Sequence, residues 1–330
     1  MLIGTSYISE PNNIYFMGNK ISTGDFRCVV CGSKIVENTK GMLFCNNNDC
    51  YRNVNPYTYF QNKPVIIDFN KSLISENSFS SNEGNSSVKR TKIGLMTNIR
   101  NFFRKKNPIV IHNVDYLIHE MLKISFPKIL IIGGGEVGNG LDVFYKKLSN
   151  NITSFDIYNS PNIDFIADAH HIPITNDCFD LVIIQAVLEH VLDPKVVVDE
   201  IWRVLKFDGI VYAETPFMQQ VHEGQFDFTR FSESGHRYLF KNFKIIKSGH
   251  ILGAATSLLW SIDYFFSGLF RSRFIGKCVR IFFFWIAYLD RIIPDSFNID
   301  AASGVYFMGR KTSNCLDAKE IIAHYKGNQK

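Results

Sequence analysis

The feature that most constrains this chain is the run Ile129-Leu130-Ile131-Ile132, followed at once by Gly133, Gly134 and Gly135 and then by Gly138. A short, wholly apolar, β-branched run that stops at glycines reads as a buried parallel strand entering a tight turn. Glycine lets the backbone turn sharply and approach a ligand with no Cβ in the way. Residues 141–148 then have helical spacing, so the loop joins a strand to a helix, the geometry of a nucleotide-type cofactor site. A glycine turn in any α/β protein has the same appearance, so the choice rests on what lies downstream.

Downstream the chain alternates. Strands are expected at residues 152–156, 163–168, 179–184 and 209–213, with helices at 114–123 and 194–205. This alternation predicts a parallel, doubly wound sheet with its ligand at the carboxyl ends of the strands. Asp156 ends the second strand about twenty residues past the glycines, the place from which a carboxylate accepts hydrogen bonds from ribose hydroxyls. Asp168 ends the third, where a carboxylate can meet the amino group of an adenine.

Ala169 follows, then Ile172-Pro173, Phe179-Asp180, the string Leu188-Glu189-His190-Val191-Leu192-Asp193-Pro194, and Glu200-Ile201-Trp202-Arg203-Val204-Leu205-Lys206 ahead of Gly209. As a set, and over residues 129–216, these resemble the class I S-adenosylmethionine (SAM)-dependent methyltransferases, especially the broad type 11 group. The resemblance implies a seven-stranded Rossmann-like sheet, SAM as methyl donor and release of S-adenosylhomocysteine. By position it also implies cofactor contacts from Gly133, Gly135, Gly138, Ala169, Gln185, Glu189 and His190. Two departures stand out. Ile131 occupies a place where the family usually carries an acidic residue, and the glycine spacing leans towards a dinucleotide fingerprint. Contacts to the methionine amino group then fall to Glu136 or to main-chain carbonyls. A nicotinamide cofactor leaves the 188–194 and 203–206 strings unexplained.

The next strand end delivers Val221-His222-Glu223-Gly224-Gln225-Phe226-Asp227-Phe228-Thr229-Arg230-Phe231 to the cofactor mouth. His222 or Asp227 is the candidate to take a proton as a methyl group transfers, with Arg230 and the aromatics positioning a polar ring. The string resembles that of methyltransferases of bacterial polysaccharide and cell-envelope biosynthesis. The acceptor implied is a hydroxyl of a glycan or lipid-linked intermediate. The last two strands are expected at 243–248 and 304–309 as an antiparallel pair. Between them, residues 251–270 carry one charge, Asp263, and residues 281–289 form a second apolar run. Arg271, Arg273, Lys277, Arg280 and Arg291 lie beside these runs. They read as a substrate lid or as an interfacial membrane element; the first run is barely long enough to span a bilayer and the second too short.

Four of the seven cysteines lie early, as Cys28-x-x-Cys31 followed by Cys45 and Cys50. Two such pairs can hold one structural zinc ion tetrahedrally, with Gly32 and the run from Asn46 through Asp49 as turn-formers. The segment is too short to bury its own core, so a metal would supply much of its folding energy. Val65-Ile66-Ile67-Asp68-Phe69 is expected to close the module, whose layout resembles a zinc ribbon of the kind found beside or fused to methyltransferases. Residues 70–89 are rich in Ser and Asn and read as a flexible linker. Residues 89–106 carry Lys89, Arg90, Lys92, Arg100, Arg104, Lys105 and Lys106 with no acidic residue, and read as a basic amphipathic helix.

The expected organisation is a zinc-ribbon-like module at 1–69, a linker with its basic helix at 70–108, and a methyltransferase domain at 109–330 carrying an apolar helical insertion at 251–302. The net charge of +5 is modest and concentrated in the linker, which disfavours nucleic acid as a partner. With no basic n-region before an apolar h-region, the expected location is the cytoplasm, in solution or on the inner membrane face. Two alternatives remain: an RNA base methyltransferase that uses the zinc module for recognition, and a non-catalytic binding module on the same fold.

Overall fold

The computed structural model describes residues 21–80, 107–313 and 316–329. The basic helix expected at 89–106 lies outside the described residues. The N-terminal part contributes β1 (Ile35–Glu37), β2 (Leu43–Cys45), β3 (Thr58–Phe60), β4 (Lys63–Ile66) and a short helix, α1 (Asn77–Ser80). Next come α2 (Pro108–Met121), β5 (Ile129–Ile132), α3 (Asp142–Leu148), β6 (Ile152–Asp156), β7 (Phe165–Ala167), β8 (Phe179–Gln185), α4 (Pro194–Val204) and β9 (Leu205–Pro216). The chain continues through α5 (Glu233–Leu239), β10 (Phe243–Leu252), α6 (Ala254–Leu269), α7 (Arg273–Phe282), α8 (Asp295–Asp300), β11 (Gly304–Lys311) and α9 (Ala318–Ala323).

Local chemistry sets the helix starts. Asn107 accepts hydrogen bonds from the amides of Ile109 and Val110, with Pro108 in the first turn of α2. Asp193 does the same for Lys195 and Val196 ahead of α4, with Pro194 following it. Along α2, Val110, Val114, Leu117, Ile118 and Met121 are buried, the stripe of an amphipathic helix lying on a sheet.

The strands form one mixed sheet in the order β10-β11-β9-β8-β5-β6-β7-β4-β3. Its centre, from β7 to β9, is parallel, and β11 runs antiparallel between β9 and β10. β5 is buried along its whole length and alternates between two cores. Leu130 and Ile132 pack with Phe155, Phe179 and Ile201; Ile129 and Ile131 pack with Val114, Leu117 and Phe144. The chain moves outward from β5 in both directions, to β6 on one side and β8 on the other. This makes a switch point, the place at the carboxyl ends where ligands bind in sheets of this kind.

The sheet has nine strands where seven were expected. The Val65-Ile66 pair adds to the outer edge of β7, in parallel register with Ile166 and Ala167, rather than closing a separate module. Val65, Ile66 and Ile67 are all buried, so the extra strand covers an edge that would otherwise present unpaired backbone groups. The cysteine-bearing segment packs on the same face: the rings of Phe26 and Phe165 meet edge-on at 5.3 Å, and Arg27 N donates to Pro173 O at 3.1 Å. Residues 70–80, part of the expected linker, make two side-chain contacts with the fold. Ser72 Oγ donates to Asp168 at 2.6 Å, and the Phe79 ring lies 5.6 Å from that of Phe60.

The apolar insertion is a pair of crossing helices, α6 and α7, followed by a 3-10 segment, Phe284–Arg291. A Cβ at Gly276 would sit 1.9 Å from Ser267 Oγ and 2.5 Å from Asp263 O, so the crossing requires glycine. Arg280 pairs with Asp263 at 3.2 Å, and Asp290 caps α6 by accepting from the amides of Gly253 and Ala255. The outer faces are bare: Phe274, Phe282 and Ile292 are each more than 70% exposed. No helix among the described residues is long and apolar enough to cross a membrane.

Candidate active site

The glycine loop is drawn tightly over the ends of β6 and β8. Gly133 has φ +74°, and a Cβ there would fall 2.2 Å from Val187 Cγ2, so only glycine makes this turn. The amides of Gly133 and Gly134 donate to Phe155 O at 3.0 Å, and that of Gly135 to Asp156 Oδ2 at 3.0 Å. A Cβ at Gly138 would lie 2.0 Å from Gln185 Oε1. The loop, Asp156 and Gln185 therefore converge at the switch point, while Glu136 is exposed on the loop's rim.

Gln185 Oε1 is buried beside Gly138 with no hydrogen-bond partner, an acceptor left open. Beside it in register on β9, Glu214 takes a hydrogen bond from the Tyr212 hydroxyl, and burial pushes its carboxyl up to about 7. A tight loop, a strand-end carboxylate and an orphan acceptor fit a nucleoside-bearing, cationic cofactor. Asp168 is placed differently. Its carboxylate caps the turn Ala169–His171, accepting from the His170 amide and contacting His170 Nδ1, and it also receives the Ser72 hydroxyl. Ala169 is buried in that same turn.

Glu189 and His190 form a second cluster with His222 and Asp227. They sit on the turn Leu188–His190 after β8, and the loop that follows β9 closes over them, with Phe228 N donating to Glu189 O at 2.8 Å. Glu189 is fully buried, and neither carboxylate oxygen has a hydrogen-bond partner; burial pushes its carboxyl up to about 8. Its Oε1 lies 3.7 Å from His190 Nε2 and 3.8 Å from His222 Nε2.

Both imidazoles are oriented through their other nitrogen. His190 Nδ1 meets Phe226 O at 2.8 Å, and His222 Nδ1 faces Asp227 Oδ2 at 3.3 Å. Burial opposes ionisation of Asp227, but the Arg230 guanidinium and the His222 amide outweigh it and hold the carboxyl down at about 2. Arg230 also donates to Gln219 O at 3.1 Å, tying the two ends of the loop together.

The four early cysteines come together. Cys28 and Cys50 Sγ are 3.8 Å apart, Cys31 and Cys45 Sγ 3.4 Å, and all four lie within 4.8 Å of one another. Bonds of about 2.3 Å to a tetrahedral zinc place sulfurs about 3.8 Å apart, so the set has the size to hold that ion. The Tyr57 hydroxyl and the Asn47 amide point at Cys28 and Cys45 Sγ, as donors do around metal-bound thiolates.

Three features escaped the sequence reading: the Ser72–Asp168 contact, the Tyr212–Glu214 pair, and the meeting of Glu189 and His190 with His222. Only the second had a signal, because residues two apart in a strand share a face.

Residues 136–213 match a family model described as a methyltransferase domain. The matched segment runs from the glycine loop into β9 and contains Asp156, Asp168, Gln185, Glu189 and His190; His222 and Asp227 lie beyond it. No curated protein matches the chain. Similar solved structures include the MccD protein, 14% identical over 63% of this chain and 100% of that one, with a TM-score of 0.39. Coclaurine N-methyltransferase bound to N-methylheliamine and SAH is 12% identical over 61% of this chain and 72% of that one, TM-score 0.36. Haemonchus contortus phosphoethanolamine N-methyltransferase 2 in complex with S-adenosyl-L-methionine is 14% identical over 61% of this chain and 52% of that one, TM-score 0.37.

Proposed function

We propose that this chain, a SAM-dependent methyltransferase through the domain at residues 136–213, methylates a hydroxyl of a glycan or lipid-linked intermediate. One observation carries the reading: the loop that holds His222 is fastened to the apolar insertion. Tyr264 of α6 donates to Val221 O at 2.8 Å, and Gln220 donates to Ser261 Oγ at 3.1 Å. The insertion presents Phe274, Phe282, Trp285 and Ile292 to solvent, together with Arg271, Arg273 and Lys277. Exposed apolar and basic side chains together on one insertion suit a peripheral seat on an anionic membrane face. An acceptor carried on a lipid then meets His222 without leaving that surface.

SAM supplies an activated methyl group. Gly133, Gly135, Gly138, Asp156 and Gln185 would hold it, Asp156 at the ribose hydroxyls and Gln185 through its free oxygen. His222 Nε2 takes the proton of the acceptor hydroxyl as its oxygen bonds to the methyl carbon. Asp227 positions that imidazole and stabilises its charged form, and Arg230 keeps Asp227 ionised. Cys28, Cys31, Cys45 and Cys50 would hold one zinc ion in a structural role, fixing the segment that packs under the sheet.

The test is incubation of the full chain with methyl-labelled SAM and a lipid and glycan extract. Label should enter the lipid fraction as an alkali-stable ether, and His222→Ala should slow it about 10²–10⁴-fold. Label in RNA instead, or none from folded protein, overturns the acceptor assignment.

A further inference from the structure

We propose that Glu189, His190 and His222 form a divalent metal site whose open positions take the acceptor's oxygens. The inference deepens the acceptor assignment above, and for its place in catalysis it rests on that reading.

The first argument is the carboxylate. Glu189 is completely buried, and neither oxygen has a hydrogen-bond partner. A buried polar group left unmade costs free energy, and such groups in folded proteins are commonly explained by a water or an ion. The neighbouring imidazoles do not fill the role, because at 3.7 and 3.8 Å their Nε2 atoms are beyond hydrogen-bond reach of Oε1.

The second argument is orientation. His190 Nδ1 is engaged by Phe226 O and His222 Nδ1 faces Asp227. Each contact places the ring proton on Nδ1 and leaves the Nε2 lone pair towards Glu189. Histidines that bind metals are held in this way, with the second nitrogen on a carbonyl or carboxylate.

The third is size. One oxygen of Glu189 and one nitrogen of each histidine lie within 4.8 Å of one another. A cation with bonds of about 2.0–2.2 Å needs its ligands about 3.0–3.5 Å apart, a closure of a few tenths of an ångström for the two measured pairs.

Two neutral imidazoles and one carboxylate select a transition-metal-class ion such as Zn²⁺, Co²⁺ or Mn²⁺ over Mg²⁺ or Ca²⁺, which favour all-oxygen shells. Three protein ligands leave one position open on a four-coordinate ion, two on a five-coordinate ion and three on a six-coordinate one. Adjacent ring hydroxyls of a sugar are the acceptor class that fills two. A bound cation lowers the pKa of a coordinated hydroxyl. With the ion bound, this replaces direct proton transfer to His222 Nε2: the acceptor proton passes to water, the alkoxide oxygen bonds to the methyl carbon as the carbon–sulfur bond of SAM breaks, and the His222 lone pair stays on the metal.

The experiment counts metal. Full-length protein, stripped with chelator and dialysed against Zn²⁺, is analysed by elemental analysis as wild type, Glu189→Gln, His222→Ala and Asp227→Asn. Wild type should hold one ion more per chain than Glu189→Gln or His222→Ala. Asp227→Asn should bind the ion about 10–100-fold more weakly, as loss of an outer partner does. With Co²⁺, the ion lost in these variants should lack the thiolate charge-transfer absorption that marks a cysteine site. Circular dichroism confirms folding, and His222 is the control substitution because it lies at the surface of its loop. Equal metal content in wild type and both folded ligand variants overturns the site. Loss of the extra ion in both variants, with no methyl transfer to lipid by wild type, keeps the metal site and removes the acceptor assignment instead.

Discussion

Replacing Phe274, Phe282 and Ile292 together with serine separates a membrane-facing insertion from a lid packed on the domain. These three side chains are 75%, 73% and 78% exposed. A large apolar side chain offers about 150–250 Å² for burial, so each has about 110–190 Å² free, or about 3–4 kcal/mol on complete transfer from water. An interfacial helix sinks only part-way, which halves the gain to about 1.5–2 kcal/mol per residue and about 5 kcal/mol for the set. Partition onto anionic vesicles should therefore fall on the order of 10³-fold. The assay is flotation with phosphatidylglycerol vesicles across a salt series. Wild type should bind less as salt rises, each basic residue contributing about 1 kcal/mol, yet keep a salt-insensitive remainder from the apolar surface. Thermal stability should change by no more than about 1 kcal/mol, since the three residues pack on little. Wild type that never floats, or a variant that floats equally well, refutes the membrane reading. A variant that loses several kcal/mol of stability shows that the side chains pack on the protein instead.

Cys28→Ser should remove about one zinc per chain and disorder the segment holding β1 and β2, seen by elemental analysis and limited proteolysis of a protein whose C-terminal core survives. Gly135→Ala should weaken S-adenosylhomocysteine binding severalfold in calorimetry, because its Cβ would meet Asp156 Oδ2 at 2.6 Å and push the loop from the carboxylate. His236 is buried with no partner on either nitrogen, and burial holds it down at about 3. Its folded pKa is below the unfolded value near 6.5, so stability is full above pH 6.5 and falls as the unfolded chain takes up the proton. The loss is about 1.4 kcal/mol per pH unit and ends near pH 3. Melting curves of His236→Phe, which keeps the ring packed on Phe240, should lack this slope.

Much of the fold was legible because it is local. The β-branched run into glycine gave β5 and its loop, and Asp193-Pro194 marked the start of α4 through capping chemistry that depends on neighbouring residues. The apolar runs of the helical insertion were legible for the same reason. What pairs with what was harder. Val65-Ile66 reads as a buried strand in any setting, and nothing in its own residues says that its partner is β7. The contacts at the start of the linker were hidden in a similar way: Phe79 meets Phe60 and Ser72 meets Asp168, neither of which is near in sequence. The site divides along that line too. Asp156 and Gln185 end the two strands that flank β5, so position alone brought them to either side of its loop. Glu189 has its character from burial beneath the loop at 226–229, a tertiary effect. The same closure brings it and His190 together with His222.

The central claim is that the carboxyl ends of β6, β5 and β8 hold a SAM site, and calorimetric titration of S-adenosylhomocysteine into the full chain tests it most directly. The account predicts one site per chain, displaced by SAM, unchanged in His222→Ala and weakened by about 1.5–3 kcal/mol in Asp156→Ala, where a charged acceptor to the hydroxyls is lost. No binding by the folded wild-type protein, or the same affinity in Asp156→Ala, contradicts it.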